Sequence, residues 1–368
     1  MMSEENTLGL YIHIPFCKAK CPYCDFYSVV FSEEKKNKYV DAVCRNIKSY
    51  SLENKNKVDT IYFGGGTPSL LSAKDIDRIL SYAEKFLSFS DSPEITMECN
   101  PESTSKEKIT GYKSAGINRL SIGVQSLCDN QLEYLGRLHD ANTARQIILD
   151  AYSAGMNNVS CDIMLATPYQ NFEILSDTIK QLVELPVQHI SAYLLKIEPG
   201  TKYFNKKWVI ESIPDDDESS DFYLHTVEML DSYGFKQYEI SNFAKSGYES
   251  RHNIKYWECK PYLGIGASAH SDYMGKRFYV SSDIDNFIES SVQKTIIEDE
   301  NPDREEERIF LGMRLSKGIP VEWIYKKNQS KIKAFCDAGF LKFENGRVAF
   351  TPEGFLVSNT ILAEFCSS

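Results

Sequence analysis

Six short apolar runs recur along the chain, at about Leu8–Ile14, Val58–Phe63, Glu94–Cys99, Asn118–Val124, Asn158–Leu165 and Gln188–Leu195, each followed by a helix-like or mixed segment. Strands that alternate with helices predict a parallel α/β sheet, because a parallel neighbour is reached only by a crossover. The punctuation agrees. Ser72-Ala73-Lys74-Asp75 has the spacing of a capping box ahead of a helix at Ile76–Leu87, and Gly116 and Gly155 each stand between a helical run and a strand, where a left-handed C-cap is expected. Six βα units fall short of the eight of a closed barrel, so the pattern predicts a partial, open (β/α)6 barrel or a doubly wound sheet. In either case ligands collect at the C-terminal ends of the strands.

The pattern changes further on. Asp215-Asp216-Asp217-Glu218 reads as a solvated acidic loop before a helix at about Ser219–Tyr233. From Asp303 a charged helical start at Arg304–Arg308 leads to Ile319–Tyr325, a helix-like Lys331–Gly339 and strand-like pieces at Phe340–Phe343 and Arg347–Thr351, the outline of a small α+β domain with a β-wing, winged-helix-like. Three parts are therefore expected: a core over 1–240, a connecting segment over 241–302 and a small C-terminal domain over 303–368.

Composition narrows the class. With 368 residues, 42% hydrophobic and 25% charged, the chain can fold as one large domain and a smaller one without disulfide support. A net charge of −11 without a dense Lys/Arg cluster among aromatics argues against a general nucleic-acid binder. The acidic start Met1–Asn6 lacks a basic region ahead of an apolar stretch, and no apolar run approaches the roughly 18 residues of a membrane span. The chain reads as a cytoplasmic protein, with peripheral membrane contact compatible. Seven of the ten cysteines (Cys44, Cys99, Cys128, Cys161, Cys259, Cys336 and Cys366) are scattered, as small apolar residues in a reducing compartment would be.

The other three are not scattered. Cys17, Cys21 and Cys24 are separated by three residues and then two. Thiolates so close can converge on one metal centre, and three of them leave one iron of a cubane cluster open. A structural zinc site takes four protein ligands, and no second pair follows. His13 precedes the cysteines in an apparent strand, where alternation fixes its direction independently of the loop. Directly after the second strand comes Gly64-Gly65-Gly66-Thr67-Pro68, a turn whose backbone N–H groups suit a carboxylate or an amino-acid head group. Glu98 ends the third strand, Gln125 follows the fourth, Arg137 lies in the segment after it and Asp162 sits in the fifth, which puts polar groups on one rim.

Taken together, Tyr11 to Cys24, Gly64 to Pro68, Glu98-Cys99-Asn100-Pro101, Gly123-Val124-Gln125 and Arg137 resemble radical S-adenosylmethionine (SAM) proteins of the coproporphyrinogen dehydrogenase type, over most of the chain. The resemblance implies a [4Fe-4S] cluster on Cys17, Cys21 and Cys24, reduced by an external donor, with SAM chelating the fourth iron and cleaved to methionine and a 5′-deoxyadenosyl radical by one electron from the cluster. It also implies SAM contacts from Tyr11, Gly65, Gly66, Thr67, Glu98, Gln125, Arg137 and Asp162, with no side chain assigned as catalytic. By chemistry, Glu98 and the glycine turn suit the SAM amino group, Arg137 a carboxylate, and Asp162 a ribose hydroxyl or ammonium.

Within that family the dehydrogenases carry a long N-terminal extension and a further cysteine two residues after the third ligand. This sequence has ten residues before Tyr11, and Phe26 follows Asp25 at that position. These features instead resemble the haem chaperones of the HemW type, which share Asp-Phe there and a later His-Asn-x-x-Tyr-Trp, present as His252-Asn253-Ile254-Lys255-Tyr256-Trp257. The resemblance implies a chaperone that binds haem and delivers it to apo-haemoproteins such as respiratory enzymes, with the cluster and SAM assisting or regulating transfer. Imidazole is a common axial donor to haem iron, so His252 is the expected ligand, with Tyr256 and Trp257 packing on the macrocycle. The rival readings are the dehydrogenase itself and a radical SAM enzyme acting on another substrate. One departure stands out: Ala166-Thr167-Pro168-Tyr169 replaces the Gly-Leu-Pro-Gly form of the relatives, and bulkier residues are expected to reshape the loop beside the adenosyl group.

Overall fold

The computed structural model describes residues 7–51 and 56–366, without the side chains of 325–327 and 366. Residues 1–6 and the Cys366 side chain, both part of the sequence argument, lie outside the described residues.

The six apolar runs form the six strands expected: β1 (Thr7–Ile14), β2 (Lys57–Gly65), β3 (Phe89–Cys99), β4 (Arg119–Gln125), β5 (Val159–Leu165) and β6 (His189–Leu194). They pair in parallel and in chain order, with Ile12 opposite Phe63 and Cys161 opposite Ile190. Between them run α1 (Glu33–Ser49), α2 (Ala73–Phe86), α3 (Lys106–Ser114), α4 (Ala141–Ser153) and α5 (Phe172–Glu184), and α6 (Asp216–Ser232) follows β6. The capping box forms as predicted: the Ser72 hydroxyl accepts from the Asp75 N–H and the Asp75 carboxylate accepts from the Ser72 N–H. Gly116 and Gly155 take left-handed φ of 113° and 77°. The acidic run is helix rather than loop. Asp215 caps α6, and Asp216, Asp217 and Glu218 make its first turn, where the N-terminal end of the helix dipole favours carboxylates.

Six more strands extend the sheet: β7 (Lys236–Glu239), β8 (Asn242–Ala244), β9 (Tyr262–Ile265), β10 (His270–Tyr273), β11 (Lys276–Val280) and β12 (Thr295–Asp299). The order is β12-β11-β10-β9-β1-β2-β3-β4-β5-β6-β8-β7, an open sheet whose two end strands do not meet. β9 lies parallel beside β1, so the segment read as a connection supplies strands to the same sheet. At three to five residues they are too short for period-2 alternation to stand out. Between β8 and β9 a short helix, α7 (Arg251–Trp257), carries the His-Asn-x-x-Tyr-Trp sequence.

At the C-terminal end β13 (Ile319–Pro320), β14 (Leu341–Glu344) and β15 (Arg347–Phe350) form a separate sheet in the order β13-β15-β14. The wing turns at Asn345-Gly346, both at positive φ, as a tight hairpin requires. Met313, Ile332, Val348, Phe350 and Leu362 pack in a second core that also takes Tyr223 from α6. Among the described residues no helix is long and apolar enough to cross a membrane.

Candidate functional site

Alternation along the parallel strands sorts core from cavity. In β4, Leu120, Ile122 and Val124 are buried in the main core, while Arg119, Ser121, Gly123 and Gln125 line a cavity of about 440 Å³ at the C-terminal side of the sheet. Glu98 and Asn100 from β3 and its exit, Asp162 and Met164 from β5, and Ser191 and Tyr193 from β6 line the same space.

The three cysteines enter this cavity from the loop after β1. Its base is tied by Val29 N–H to Pro15 O at 2.7 Å and Phe31 N–H to Cys17 O at 3.0 Å, and a turn from Cys24 N–H to Cys21 O at 3.2 Å folds it back. The Thr67 hydroxyl donates to Cys17 Sγ at 3.5 Å and Arg137 Nη1 to Cys21 Sγ at 3.4 Å. Burial pushes the Cys24 thiol up, and Cys21 and Cys17 are near enough to add to the rise. His13 is no fourth ligand. Its Nε2 lies 3.2 Å from Tyr27 O, which only accepts, so Nδ1 accepts from the Tyr11 hydroxyl at 3.1 Å, and burial lowers its pKa to about 4. Among the described residues no three His, Cys, Asp or Glu gather around a point as for one bare ion. Three soft thiol ligands sharing a cavity, two of them under hydrogen-bond donors, fit a cluster with one open iron.

The glycine turn is shaped by close approach. A Cβ on Gly65, at φ 115°, would lie 2.6 Å from the His13 ring, and one on Gly66 would lie 2.8 Å from Phe16 O. Contrary to expectation, the two amides are already engaged: Gly65 N–H donates to Glu98 Oε2 at 3.1 Å and Gly66 N–H to Ile14 O at 2.9 Å. The turn therefore serves as a thin floor rather than a cradle of free donors.

Glu98 also accepts from the Tyr62 hydroxyl at 3.0 Å, and its pKa is raised to about 7, first by loss of water contact and then by Asp162. Asp162, which accepts from Ser121 Oγ at 3.1 Å, is raised as well, again chiefly by loss of water. Neither carboxyl has an ion-pair partner among the described residues. Arg119, 1% exposed and with Nε unpaired, supplies positive charge behind them. Arg119 escapes the sequence reading, and Asn100 enters it only within the Glu98–Pro101 motif, without a role of its own. Gln125 holds φ 65° at the end of β4.

Tyr11 and His252 lie elsewhere. They line a second cavity of about 410 Å³ with Tyr256, Trp257 and Glu239, and the two cavities share Tyr62, Glu98, Tyr193 and Asn253. His252 is 1% exposed, with Nδ1 2.8 Å from Thr60 Oγ1 and Nε2 2.9 Å from the Tyr256 hydroxyl. Burial lowers its pKa to about 3, helped by Lys255 and Arg119. An axial ligand needs a free ring nitrogen, and here both are bonded, which is at odds with the expected role. The reason is helical spacing: residues 252 and 256 are four apart on α7 and face each other.

The loop departure has a definite form. Ala166 and Tyr169, at the two positions where the relatives' form has glycine, keep left-handed φ of 56° and 57°. Gln131 Nε2 donates to Pro168 O at 3.2 Å and Tyr169 N–H to Ser212 O at 2.9 Å, so the backbone shape is held without glycine.

The model of the Radical SAM superfamily matches residues 11–182, the stretch that runs from β1 through β5 and holds the three cysteines lining the cavity. The model of the HemN C-terminal domain matches residues 300–357. The chain is 30% identical to the heme chaperone HemW of Lactococcus lactis over 99% of its own length and 98% of the relative's. It is 32% identical to heme chaperone HemW of Bacillus subtilis, over 96% and 98%. Among solved structures, the coproporphyrinogen III oxidase HemN of Escherichia coli superposes with a TM-score of 0.81 at 20% identity, covering 98% of this chain and 90% of that one, a likeness of fold. The chain belongs to the HemW family of haem chaperones.

Proposed function

We propose that this chain binds haem and delivers it to apo-haemoproteins, respiratory enzymes among them, from the cytoplasm. In this reading Cys17, Cys21 and Cys24 hold a [4Fe-4S] cluster reduced by an external donor, which supplies one-electron chemistry and an open iron for SAM. Glu98 would hold the SAM amino group and Asp162 a ribose hydroxyl or the ammonium, Arg137 would suit its carboxylate, and Gly65, Gly66, Thr67 and Gln125 would line the same space, with Tyr11 supporting it through its stacking on Tyr62. The observation that carries the reading is that three cysteines and two buried carboxyls, neither with an ion-pair partner among the described residues, line one cavity of a chain related to haem chaperones over nearly its whole length. Two enclosed carboxyls with raised pKa values suit a cationic guest, whose charge would restore both to their ionised form. At the cavity mouth Phe26 is 69% and Leu138 56% exposed, an apolar rim suited to a flat macrocycle.

The test is an anaerobic reconstitution. The chain is loaded with iron and sulfide, then given haem in one sample and coproporphyrinogen III with SAM and reductant in another. Stable haem binding without protoporphyrinogen supports the chaperone; conversion of coproporphyrinogen overturns it. Loss of haem from a folded His252→Ala variant would assign the axial ligand to that residue despite its bonded nitrogens.

A further inference from the structure

Asn100 stands at the N-cap of the short 3-10 turn Pro101–Ser103, yet its side chain caps nothing. Asparagine at such a position ordinarily turns its side chain onto the following N–H groups. Here the amide spans the cavity wall instead. Its Oδ1 accepts from Arg137 Nη2 at 2.9 Å and its Nδ2 donates to Thr67 Oγ1 at 3.3 Å.

The directions of these bonds follow from chemistry. A guanidinium only donates, so the atom facing Arg137 is the carbonyl oxygen and the atom facing Thr67 is the NH2. The Thr67 oxygen accepts from Asn100, and its one proton is left for Cys17 Sγ at 3.5 Å. On the other side the same guanidinium points Nη1 at Cys21 Sγ, 3.4 Å away, and is braced by Nη2 to Gly123 O at 3.1 Å. One amide thus braces a donor on each of two cysteines. Room for it is reserved by Gly123, where a Cβ would come within 3.1 Å of Asn100 Oδ1 and 3.3 Å of Arg137 Nη2.

We infer that Asn100 is a positioning residue that holds the Thr67 hydroxyl on Cys17 and the Arg137 guanidinium on Cys21, and so raises the reduction potential of the cluster. The inference rests on the assignment of a [4Fe-4S] cluster to Cys17, Cys21 and Cys24. Donors to cluster sulfurs favour the reduced, more negative state, and a cationic donor does so most. Loss of the amide frees both donors at once.

The experiment uses the full chain, reconstituted anaerobically, as the wild type and as Asn100→Ala and Thr67→Val. Iron and sulfide are counted, and the midpoint potential is read from the paramagnetic signal of the reduced cluster during a redox titration. Asn100→Ala is expected to lower the reduction equilibrium constant about tenfold, which is 59 mV for one electron. Thr67→Val, which keeps the Arg137 contact, is expected to lower it by a smaller factor. An Asn100→Ala chain with full iron content and an unmoved potential overturns the inference. If that variant takes up no iron, Thr67→Val decides: a lowered potential supports the inference and an unmoved one overturns it. A wild-type chain that assembles no four-iron cluster overturns the functional reading itself, and the inference with it.

Discussion

Replacing Glu98 by glutamine tests the electrostatics of the site directly. The carboxyl has an ordinary pKa of 4.5 and is raised to about 7 in the folded chain, by loss of water contact first and by Asp162 second. Unfolded, it titrates near its ordinary value. Its contribution to stability is therefore complete below about pH 4.5, falls as the pH climbs through about 7, and is constant above. At about 1.4 kcal/mol per pKa unit the loss is at most about 3.5 kcal/mol, and less where water in the cavity screens the charge. Glutamine keeps the hydrogen bonds: its oxygen turns to the Gly65 N–H, which can only donate, and its NH2 meets the Tyr62 hydroxyl, which rotates to accept. Denaturant unfolding of both proteins is measured from pH 5 to pH 8 without SAM. Wild type and Glu98→Gln should agree within about 1 kcal/mol at pH 5. At pH 8 the variant should be the more stable by about 1–3 kcal/mol. Glu239, whose pKa burial also raises to about 7, is common to both and cancels in the difference. A difference that stays flat across this range would refute the reasoning.

Gly66→Ala sets a methyl against backbone atoms of Ile14 and Phe16 that cannot yield, so unfolding free energy should fall by about 1–3 kcal/mol; an unchanged denaturation midpoint would show that the floor is not tight. Tyr256→Phe leaves His252 Nε2 without its partner, at a cost of about 1–3 kcal/mol, and should not alter haem affinity in a spectral titration. Tighter haem binding by that variant would return His252 to the role of ligand. Ala166→Gly relieves a left-handed alanine, worth about 1–2 kcal/mol, against losses of similar size from chain entropy and a buried methyl. Its thermal midpoint should stay near that of the wild type, and a large drop would mean that the loop needs the methyl more than the glycine shape.

Much of the architecture was legible because its causes are local. The central strands are buried on both faces and so are written as apolar runs, and the cysteine spacing keeps three thiols within a single loop. The hairpin at Asn345-Gly346 is equally local. What escaped was set by distance along the chain. Thr60, which bonds the His252 ring, is 192 residues away, and nothing near the motif announces that the imidazole is occupied. The engagement of the glycine-turn amides by Ile14 and Glu98 is likewise tertiary. The roles of Arg119 and Asn100 were hidden for a different reason: each is one polar residue at an edge of an apolar run, and only knowledge of which face meets the cavity gives it meaning.

Glu98 and Tyr62 belong to both cavities, and that shared wall has a thermodynamic consequence. A cation bound on one side draws the proton from Glu98 and changes the charge presented to the other, so occupancy of the two spaces is linked through a single titrating group. Linkage is reciprocal: whatever factor a guest in the first cavity imposes on affinity in the second, a guest in the second imposes on the first. One carboxyl thus couples the two spaces without a moving part.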